Sequence, residues 1–172
     1  DEHIARFEPS ARVEVRARVS GQIEQVHFRD GQIVQAGDLL FTIDRRPFEI
    51  AVEIARAEVA RNQARLDLAE QETARILPLI ASRTAPQAQL DARRSAQREA
   101  AATLAASQAE LRNAELELAW TEVRAPNAGR ASDRRVDAGN LVRQNEALLT
   151  TILSLDPIYA VFDMSEADHL RL

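Results

Sequence analysis

The chain has 172 residues, and only 4% of them are aromatic, which is thin for one large globular core and favours several small modules. Its net charge of -5 argues against a nucleic-acid partner, and its apolar runs are too short to span a bilayer. The absence of cysteine excludes thiolate metal ligands and thiol chemistry, and all 22 basic residues other than histidine are arginines.

The first part of the chain has the pattern of β-structure. Residues 1–12 are short and polar and predict a strand that comes in from another module. In residues 13–46, apolar side chains alternate with polar ones, as in a strand with one buried face, and Asp30 with Gly31 marks a turn. We expect Gly21 and Gly31 to occupy turns in which the backbone needs a positive φ.

The period changes at Pro47, and residues 47–122 predict an antiparallel helical hairpin. We expect Asp44 or Arg46 to cap the first helix, with Pro47 in its first turn. Small or apolar side chains then recur with heptad spacing, which predicts a coiled-coil seam on each helix. The predicted seam comprises Val52, Ala55, Val59, Asn62, Leu66, Ala69, Thr73, Ile76 and Ile80 in the first helix, and Leu90, Gln97, Ala100, Leu104, Ser107, Leu111, Ala114 and Leu118 in the second.

Two polar residues interrupt the seam of the first helix. Asn62 and Thr73 stand at positions where a coiled coil prefers apolar side chains. They either fix the register of the two helices or are solvated imperfections, and the pattern supports both interpretations.

The two helices are connected through a tip near residues 78–87. Pro78 lacks a backbone donor and is expected to kink or end the first helix, and residues 82–87 form the reversal. Thr84 and Gln87 have the spacing of a capping box, in which the threonine side chain accepts a hydrogen bond from the glutamine amide.

Residues 123–153 repeat the motif of residues 13–46. The two copies align without a gap at a constant offset of 108 residues. Identical residues occupy the aligned positions Val15/Val123, Arg16/Arg124, Ala17/Ala125, Gly21/Gly129, Gly31/Gly139, Val34/Val142, Leu40/Leu148 and Thr42/Thr150. Because the glycines and the apolar positions coincide, we interpret the copies as halves of one β-domain that the hairpin interrupts. Gly129 and Gly139 are expected to act as turn glycines too.

Residues 154–172 predict the start of a third module, with a strand around Ile158 and a helix that opens at Ser165. The chain starts abruptly at Asp1 without a signal peptide, so we expect a processed or trimmed part of a longer protein. The pattern as a whole predicts an elongated α+β molecule with a split β-domain and a long helical hairpin.

Side chains that carry catalysis or bind metals do not cluster in the sequence. His3, His27 and His169 are far apart and lack a partner at metal-ligand spacing, and Met164 is the single methionine. Acidic residues of the hairpin have arginine neighbours at helical spacing, which is typical of surface ion pairs. We therefore expect no enzymatic activity, no cofactor and no metal site, and we expect Trp120 to pack rather than to bind a ligand.

The order of half-motif, hairpin, half-motif and strand resembles the periplasmic adaptor, or membrane fusion protein, family, and more closely the adaptors of resistance-nodulation-division efflux pumps. The stretches that carry the resemblance are ARVSGQIEQVHFRDGQIVQAGDLLFTID, ELAWTEVRAPNAGR and DPIYAVFDMSEADHLRL. The resemblance implies a split lipoyl-like (biotinyl-like) β-domain and a β-barrel domain that begins in residues 154–172. It also implies a periplasmic protein that is attached to the inner membrane.

The resemblance implies partners and a contact site as well. The partners are an inner-membrane efflux transporter, an outer-membrane channel protein and further copies of the chain in a trimeric or hexameric ring. The hairpin tips of the family carry an arginine and, one helical turn later, a leucine, which Arg75 and Leu79 match, while Pro86 stands where the family has a serine. Arg83 and Thr84 are the other expected channel contacts, and Thr84 is expected to replace the missing serine as a helix cap.

Other functional classes share parts of the pattern. A carrier domain of a lipoate- or biotin-dependent enzyme has the same β-motif, but it attaches its cofactor to a lysine, and this chain contains none. An adaptor of another export system, of the ABC or type I secretion class, is an alternative, as is a coiled-coil scaffold without a transport role. A generic coiled-coil spacer would account for the helices but not for the β-repeat.

Overall fold

The computed structural model describes residues 5–162, and these form two compact units. One unit is the helical hairpin within Arg45–Ala119, and the other is built from the chain on either side of it. The elements are β1 (Ala5–Pro9), β2 (Arg12–Arg16), β3 (Gly21–Val26), β4 (Ile33–Val34), β5 (Leu39–Ile43), α1 (Arg46–Ala81), α2 (Gln87–Ala119), β6 (Glu122–Arg124), β7 (Gly129–Ala131), β8 (Leu141–Val142), β9 (Leu148–Leu153) and β10 (Ile158–Phe162).

Two four-stranded sheets form the β-domain, and each takes two strands from each half of the repeat. Their strand orders are β2-β9-β7-β4 and β6-β5-β3-β8. The two orders are equivalent, since β6, β5, β3 and β8 stand at the positions of β2, β9, β7 and β4 in the aligned copy. Neither half can complete its hydrogen bonds alone. The prediction of one β-domain closed from two distant half-motifs is therefore confirmed.

Hydrogen bonds between the halves follow the same pseudo-twofold symmetry. The amide of Gly31 donates to the carbonyl oxygen of Ala131 at 2.9 Å, and the amide of Gly139 donates to that of Ile23 at 2.8 Å. Both glycines have the positive φ that these turns require, 77° and 96°. The aligned positions thus make the same long-range contact in opposite directions.

A second pair of turns repeats this arrangement with different residues. Gly37 has a φ of 91°, and the residue aligned with it is Asn145, with a φ of 61°. Their amides donate to the carbonyl oxygens of Ala125 and Ala17, each at 2.8 Å. Asparagine is among the few residues that adopt this left-handed conformation readily, so the turn survives without a glycine.

Gly21 and Gly129 have a different function from the one that the sequence predicts. They open strands β3 and β7, and neither has a positive φ. A Cβ atom at Gly129 would lie 2.4 Å from the carbonyl oxygen of Leu153, and one at Gly21 would lie 2.6 Å from the side chain of Ile43. The prediction of a positive φ at these two positions is wrong. Close approach of neighbouring strands is what excludes a side chain here.

The core of the β-domain is buried at aligned positions in both halves. Phe41 and Leu149, which are aligned, are fully buried, and Val34 and Val142 are 1% and 2% exposed. Phe28 packs edge-on against Phe41, with ring centroids 5.3 Å apart. The alternating pattern of the sequence therefore places equivalent side chains on the inner faces of both sheets.

The hairpin packs along the predicted seam. Every seam residue of both helices is buried or half-buried, whereas most other hairpin residues are exposed. Asn62 and Thr73 are 2% and 8% exposed, so the interpretation as solvated imperfections is wrong. The hydroxyl of Thr73 donates to the carbonyl of Ala69 at 2.9 Å, and the amide of Asn62 donates to Glu58 at 3.1 Å. Both interruptions are buried and make local hydrogen bonds, and the side-chain oxygen of Asn62 lacks a hydrogen-bond partner among the described residues.

The ends of the hairpin differ in detail from the sequence prediction. The N-cap of α1 is Arg45, not Asp44 or Arg46, and its side chain makes no capping hydrogen bond. Pro47 lies in the first turn, where its missing donor costs nothing. At the other end, β6 begins at Glu122, inside the range that the periodicity assigns to the hairpin.

A two-stranded sheet lies at the ends of the described chain. β1 pairs antiparallel with β10, with Pro9 opposite Ile158 and Ala5 opposite Phe162. The residues predicted as an incoming strand and as the start of a third module thus pair with each other. The helix predicted at Ser165 lies outside the described residues, as do His3, His169 and Met164.

Candidate interaction site at the hairpin tip

The tip begins where α1 ends. Pro78 lies inside the helix, which continues for less than one turn beyond it and stops at Ala81. The carbonyl oxygen of Pro78 still accepts a hydrogen bond from the Ser82 amide at 3.0 Å. Since a proline weakens the turn that precedes it, the last turn of α1 depends on contacts with the reversal.

The carbonyl oxygen of Leu79 holds the reversal together. It accepts hydrogen bonds from the amides of Thr84 and Ala85, at 2.9 and 3.1 Å, and from the hydroxyl of Ser82 at 3.2 Å. These bonds satisfy a terminal carbonyl that the helix itself leaves without a donor. The tip is therefore an ordered turn of defined shape.

Arg83 has an unusual backbone conformation within this turn. Its φ is 57°, in the left-handed region that glycine and asparagine favour, and its amide donates to the carbonyl of Ile80 at 3.0 Å. A residue with a Cβ atom in this conformation costs about 1 kcal/mol relative to the right-handed form. Glycine is the usual residue after a helix in such a turn, so the arginine here costs folding free energy that a glycine would not.

The predicted capping box does not form. The hydroxyl of Thr84 is hydrogen-bonded to that of Ser82 at 2.6 Å instead of to the amide of Gln87. Pro86 immediately precedes α2, and its carbonyl accepts a hydrogen bond from the Gln89 amide at 3.0 Å. Thr84 thus stabilises the reversal and not the start of α2, because the turn directs its side chain back toward Ser82.

The side chains predicted to contact a partner are exposed at this end of the hairpin. Arg75, Arg83, Thr84 and Pro86 are all exposed, and Leu79 is 48% exposed. Arg75 and Leu79 lie one turn apart on the same face of α1. We call these five exposed residues around the reversal the tip surface.

Sequence reasoning missed a sixth exposed residue at the tip, Leu77, and we include it in the tip surface. Leu77 is 44% exposed, although it lies between the buried Ile76 and the proline at position 78. The signal was available, because Leu77 and Leu79 are large apolar residues at positions outside the heptad seam. Leu77 and Leu79 thus add two exposed apolar side chains to the arginines of the tip.

The charged side chains at the tip are all positive. Residues 73–90 contain two arginines, Arg75 and Arg83, and no acidic residue. Within residues 5–162, neither guanidinium group forms an ion pair or a side-chain hydrogen bond. Farther along the hairpin, Arg56 pairs with Glu115 at 3.2 Å, and Arg93 pairs with Glu72 at 2.5 Å. The tip thus presents free positive charge beside apolar side chains.

Neither a metal-binding cluster nor a membrane-spanning helix is found among the described residues. No group of three or more histidine or acidic side chains comes together among residues 5–162 in a way that could hold a metal ion. Neither helix in this part of the chain is apolar enough over a sufficient length to cross a membrane. The tip surface offers positive charge together with exposed apolar side chains.

Comparison with known proteins matches most of the chain to one family. Residues 11–153 match the model of the RND MFP barrel-sandwich hybrid domain. The chain is also 36% identical over 157 residues to the multidrug resistance protein MdtA of Pectobacterium carotovorum. That match covers 91% of this chain and 38% of the relative, so the chain spans little more than a third of that protein's length.

Solved structures show the same fold at low sequence identity. The membrane fusion protein Spr0693 from Streptococcus pneumoniae R6 has a TM-score of 0.73 at 16% identity, covering all of this chain and 72% of the other. A MacA-MexA chimera with the α-hairpin domain of Pseudomonas aeruginosa MexA has a TM-score of 0.64 at 24% identity, covering 99% of this chain and 58% of that one.

Proposed function

The chain belongs to the membrane fusion protein family of resistance-nodulation-division transporters, whose barrel-sandwich hybrid domain it contains, and on that premise we propose that it is a periplasmic adaptor of a tripartite efflux pump. In this proposal it joins an inner-membrane transporter to an outer-membrane channel and performs no catalysis itself. The name of the relative, a multidrug resistance protein, supports efflux as the process.

The observation that carries the proposal is the tip surface. A left-handed arginine, a second unpaired arginine and two half-exposed leucines surround one ordered reversal. Such a surface suits the ends of other helical hairpins that carry acidic and apolar side chains, because charge complementarity directs the encounter and apolar contact holds the complex. We propose that an outer-membrane channel presents such ends.

The β-domain has a different task in this proposal. Its two halves are joined by strand pairing between residues that lie 80 or more positions apart, so the chain on both sides of the hairpin is held in one domain. We propose that several copies, three or six, assemble as a ring in the periplasm and that the full-length protein is attached to the inner membrane. A ring presents several tips at once, and linked contacts strengthen one another.

The test of the proposal is replacement of the exposed tip cation. Arg75→Asp reverses the charge without affecting a seam residue, so folding should be unchanged while the complex with an acidic partner surface weakens at least tenfold. Copurification of the full-length protein with the outer-membrane channel of its host, together with drug susceptibility of the cells, measures the effect. Arg112→Asp is the matched control, since Arg112 is also an exposed hairpin arginine but lies far from the tip.

Three outcomes decide between the proposal and its alternatives. Loss of channel copurification and of drug resistance in Arg75→Asp, with Arg112→Asp unchanged, supports the proposal. Full copurification and full resistance in both variants would show that the tip surface is not the channel contact. If the full-length protein copurified with a transporter of secreted proteins and not with an efflux transporter, the type I secretion alternative would be favoured.

A further inference from the structure

A cleft of about 460 Å³ opens between the edge strands of the two sheets in the β-domain. These strands, β2 and β6, come from different halves of the repeat, and each has a pairing partner on one side only. The floor of the cleft includes Val15 and Val123, which are aligned in the repeat and 5% and 8% exposed. The cleft therefore reaches down to the apolar core of the domain.

Two ion pairs on the walls of the cleft are related by the pseudo-twofold symmetry. Arg16 pairs with Glu14 at 2.8 Å, and Arg124 pairs with Glu122 at 2.6 Å. Each arginine also donates to a main-chain carbonyl of the opposite half, at 3.0 Å for Arg16 and 2.9 Å for Arg124. Each of these two guanidinium groups makes several hydrogen bonds, so together they link the two halves of the repeat.

Arg18 breaks the symmetry of the cleft. Its guanidinium carbon lies 5.8 Å from the centroid of the Trp120 ring, and both side chains line the cleft. The residue aligned with Arg18 is Pro126, so only one half of the repeat supplies this cation. Within the described part of the chain Arg18 has no ion pair and no hydrogen bond from its side chain. It is the one arginine of the cleft wall that lacks a carboxylate partner.

These features have the chemistry of a small-molecule site. The volume lies within the range of about 300–1,000 Å³ that is usual for ligand pockets. An apolar floor and the face of an indole accept an aromatic ring, and a guanidinium group that lacks a carboxylate partner accepts the carboxylate of a ligand. The lining carries three arginines and two glutamates, so it has one positive charge in excess. A ligand with one negative charge neutralises this excess, whereas a second negative charge on the ligand has no counterpart.

We propose that this cleft binds aromatic monocarboxylates, with the ring against Trp120 and the floor and the carboxylate on Arg18. The site lies entirely within the β-domain and does not depend on the proposed role of the hairpin tip. It would give the β-domain a ligand-binding function of its own.

The test uses the fact that Trp120 is the single tryptophan of the chain, so its indole N–H gives one resonance. The uniformly ¹⁵N-labelled 172-residue chain is titrated with 2-naphthoate, and the shift of that resonance is followed. We expect a saturable shift, and we expect 2-naphthylmethylamine, which has the same ring with a positive charge, to produce none. Arg18→Gln should weaken naphthoate binding about tenfold, the effect of losing one charge-assisted contact. Arg112→Gln, outside the cleft, should leave it unchanged.

Three results would overturn the proposal. The first is no saturable shift with naphthoate up to its solubility limit. The second is an equal response to the amine, which would mean that the ring alone is recognised. The third is unchanged affinity in Arg18→Gln, which would leave Arg18 with a purely structural contact to Trp120. The comparison of acid with amine needs no variant, so the test holds even if Arg18→Gln fails to fold.

Discussion

The β-domain and the hairpin are stabilised in different ways. All of the largest fully buried side chains among the described residues belong to the β-domain, with Phe41, Leu40 and Ile152 completely covered. In the hairpin the most buried side chains are Asn62, at 2%, then Val52 and Ser107, each at 3%. One unit has a dense apolar core, whereas the other has a narrow seam in which small and polar residues are mixed with larger apolar ones. We therefore expect the β-domain to be the more stable of the two units.

The first test of this comparison replaces one buried leucine by alanine in each unit. Leu149→Ala in the β-domain should cost about 4 kcal/mol of unfolding free energy, because Leu149 is fully buried and its neighbours are fixed by both sheets. Leu104→Ala in the hairpin should cost about 2 kcal/mol, because Leu104 is 7% exposed and lies on a two-helix seam that can close inward. Denaturant unfolding measures both, with Trp120 fluorescence for the β-domain and helical circular dichroism for the hairpin. Equal losses would contradict the comparison.

The second test separates the two classes of glycine within the β-domain. Gly129→Ala places a Cβ atom against the backbone of Leu153, which must move, so we expect a loss of about 3 kcal/mol. Gly139→Ala meets no atom within 4 Å and only forces alanine into a positive φ, so we expect a loss of about 1 kcal/mol. Thermal unfolding of both variants gives the order. A greater loss in Gly139→Ala would mean that backbone conformation, not strand approach, limits the domain.

The sequence predicts the two units through different signals. Heptad spacing is a local signal, and it predicted the hairpin seam residue by residue. The repeat at constant offset predicted that two distant motifs close one domain, because strand pairing is the only way for each half to satisfy its edges. Both predictions rest on periodicity, which survives single departures such as Asn145 at a glycine position.

Details that depend on side-chain direction could not be predicted in the same way. The capping box at Thr84 has the right spacing, but the turn directs its hydroxyl to Ser82. The distinction between Gly21 and Gly31 depends on the distance between strands, which no local pattern encodes. The contact of Arg18 with Trp120 joins residues from different halves at non-aligned positions, so neither the repeat nor the periodicity gives a signal for it.

The tip contact proposed here makes one residue decisive. Arg83 is held in a left-handed conformation that glycine adopts without cost, so its retention is explained if the guanidinium group binds a partner. Arg83→Gly removes the strain and the charge together, and Arg83→Asn keeps a side chain that tolerates the conformation but lacks the charge.

The affinity of the full-length protein for its outer-membrane channel, measured beside the thermal stability of the hairpin, tests this claim most directly. The proposed tip contact predicts, for both Arg83 variants, unchanged or slightly greater stability and an affinity at least about tenfold lower, the cost of one lost charge-assisted contact. Wild-type affinity in both variants would contradict it and would leave the left-handed arginine without a role in binding.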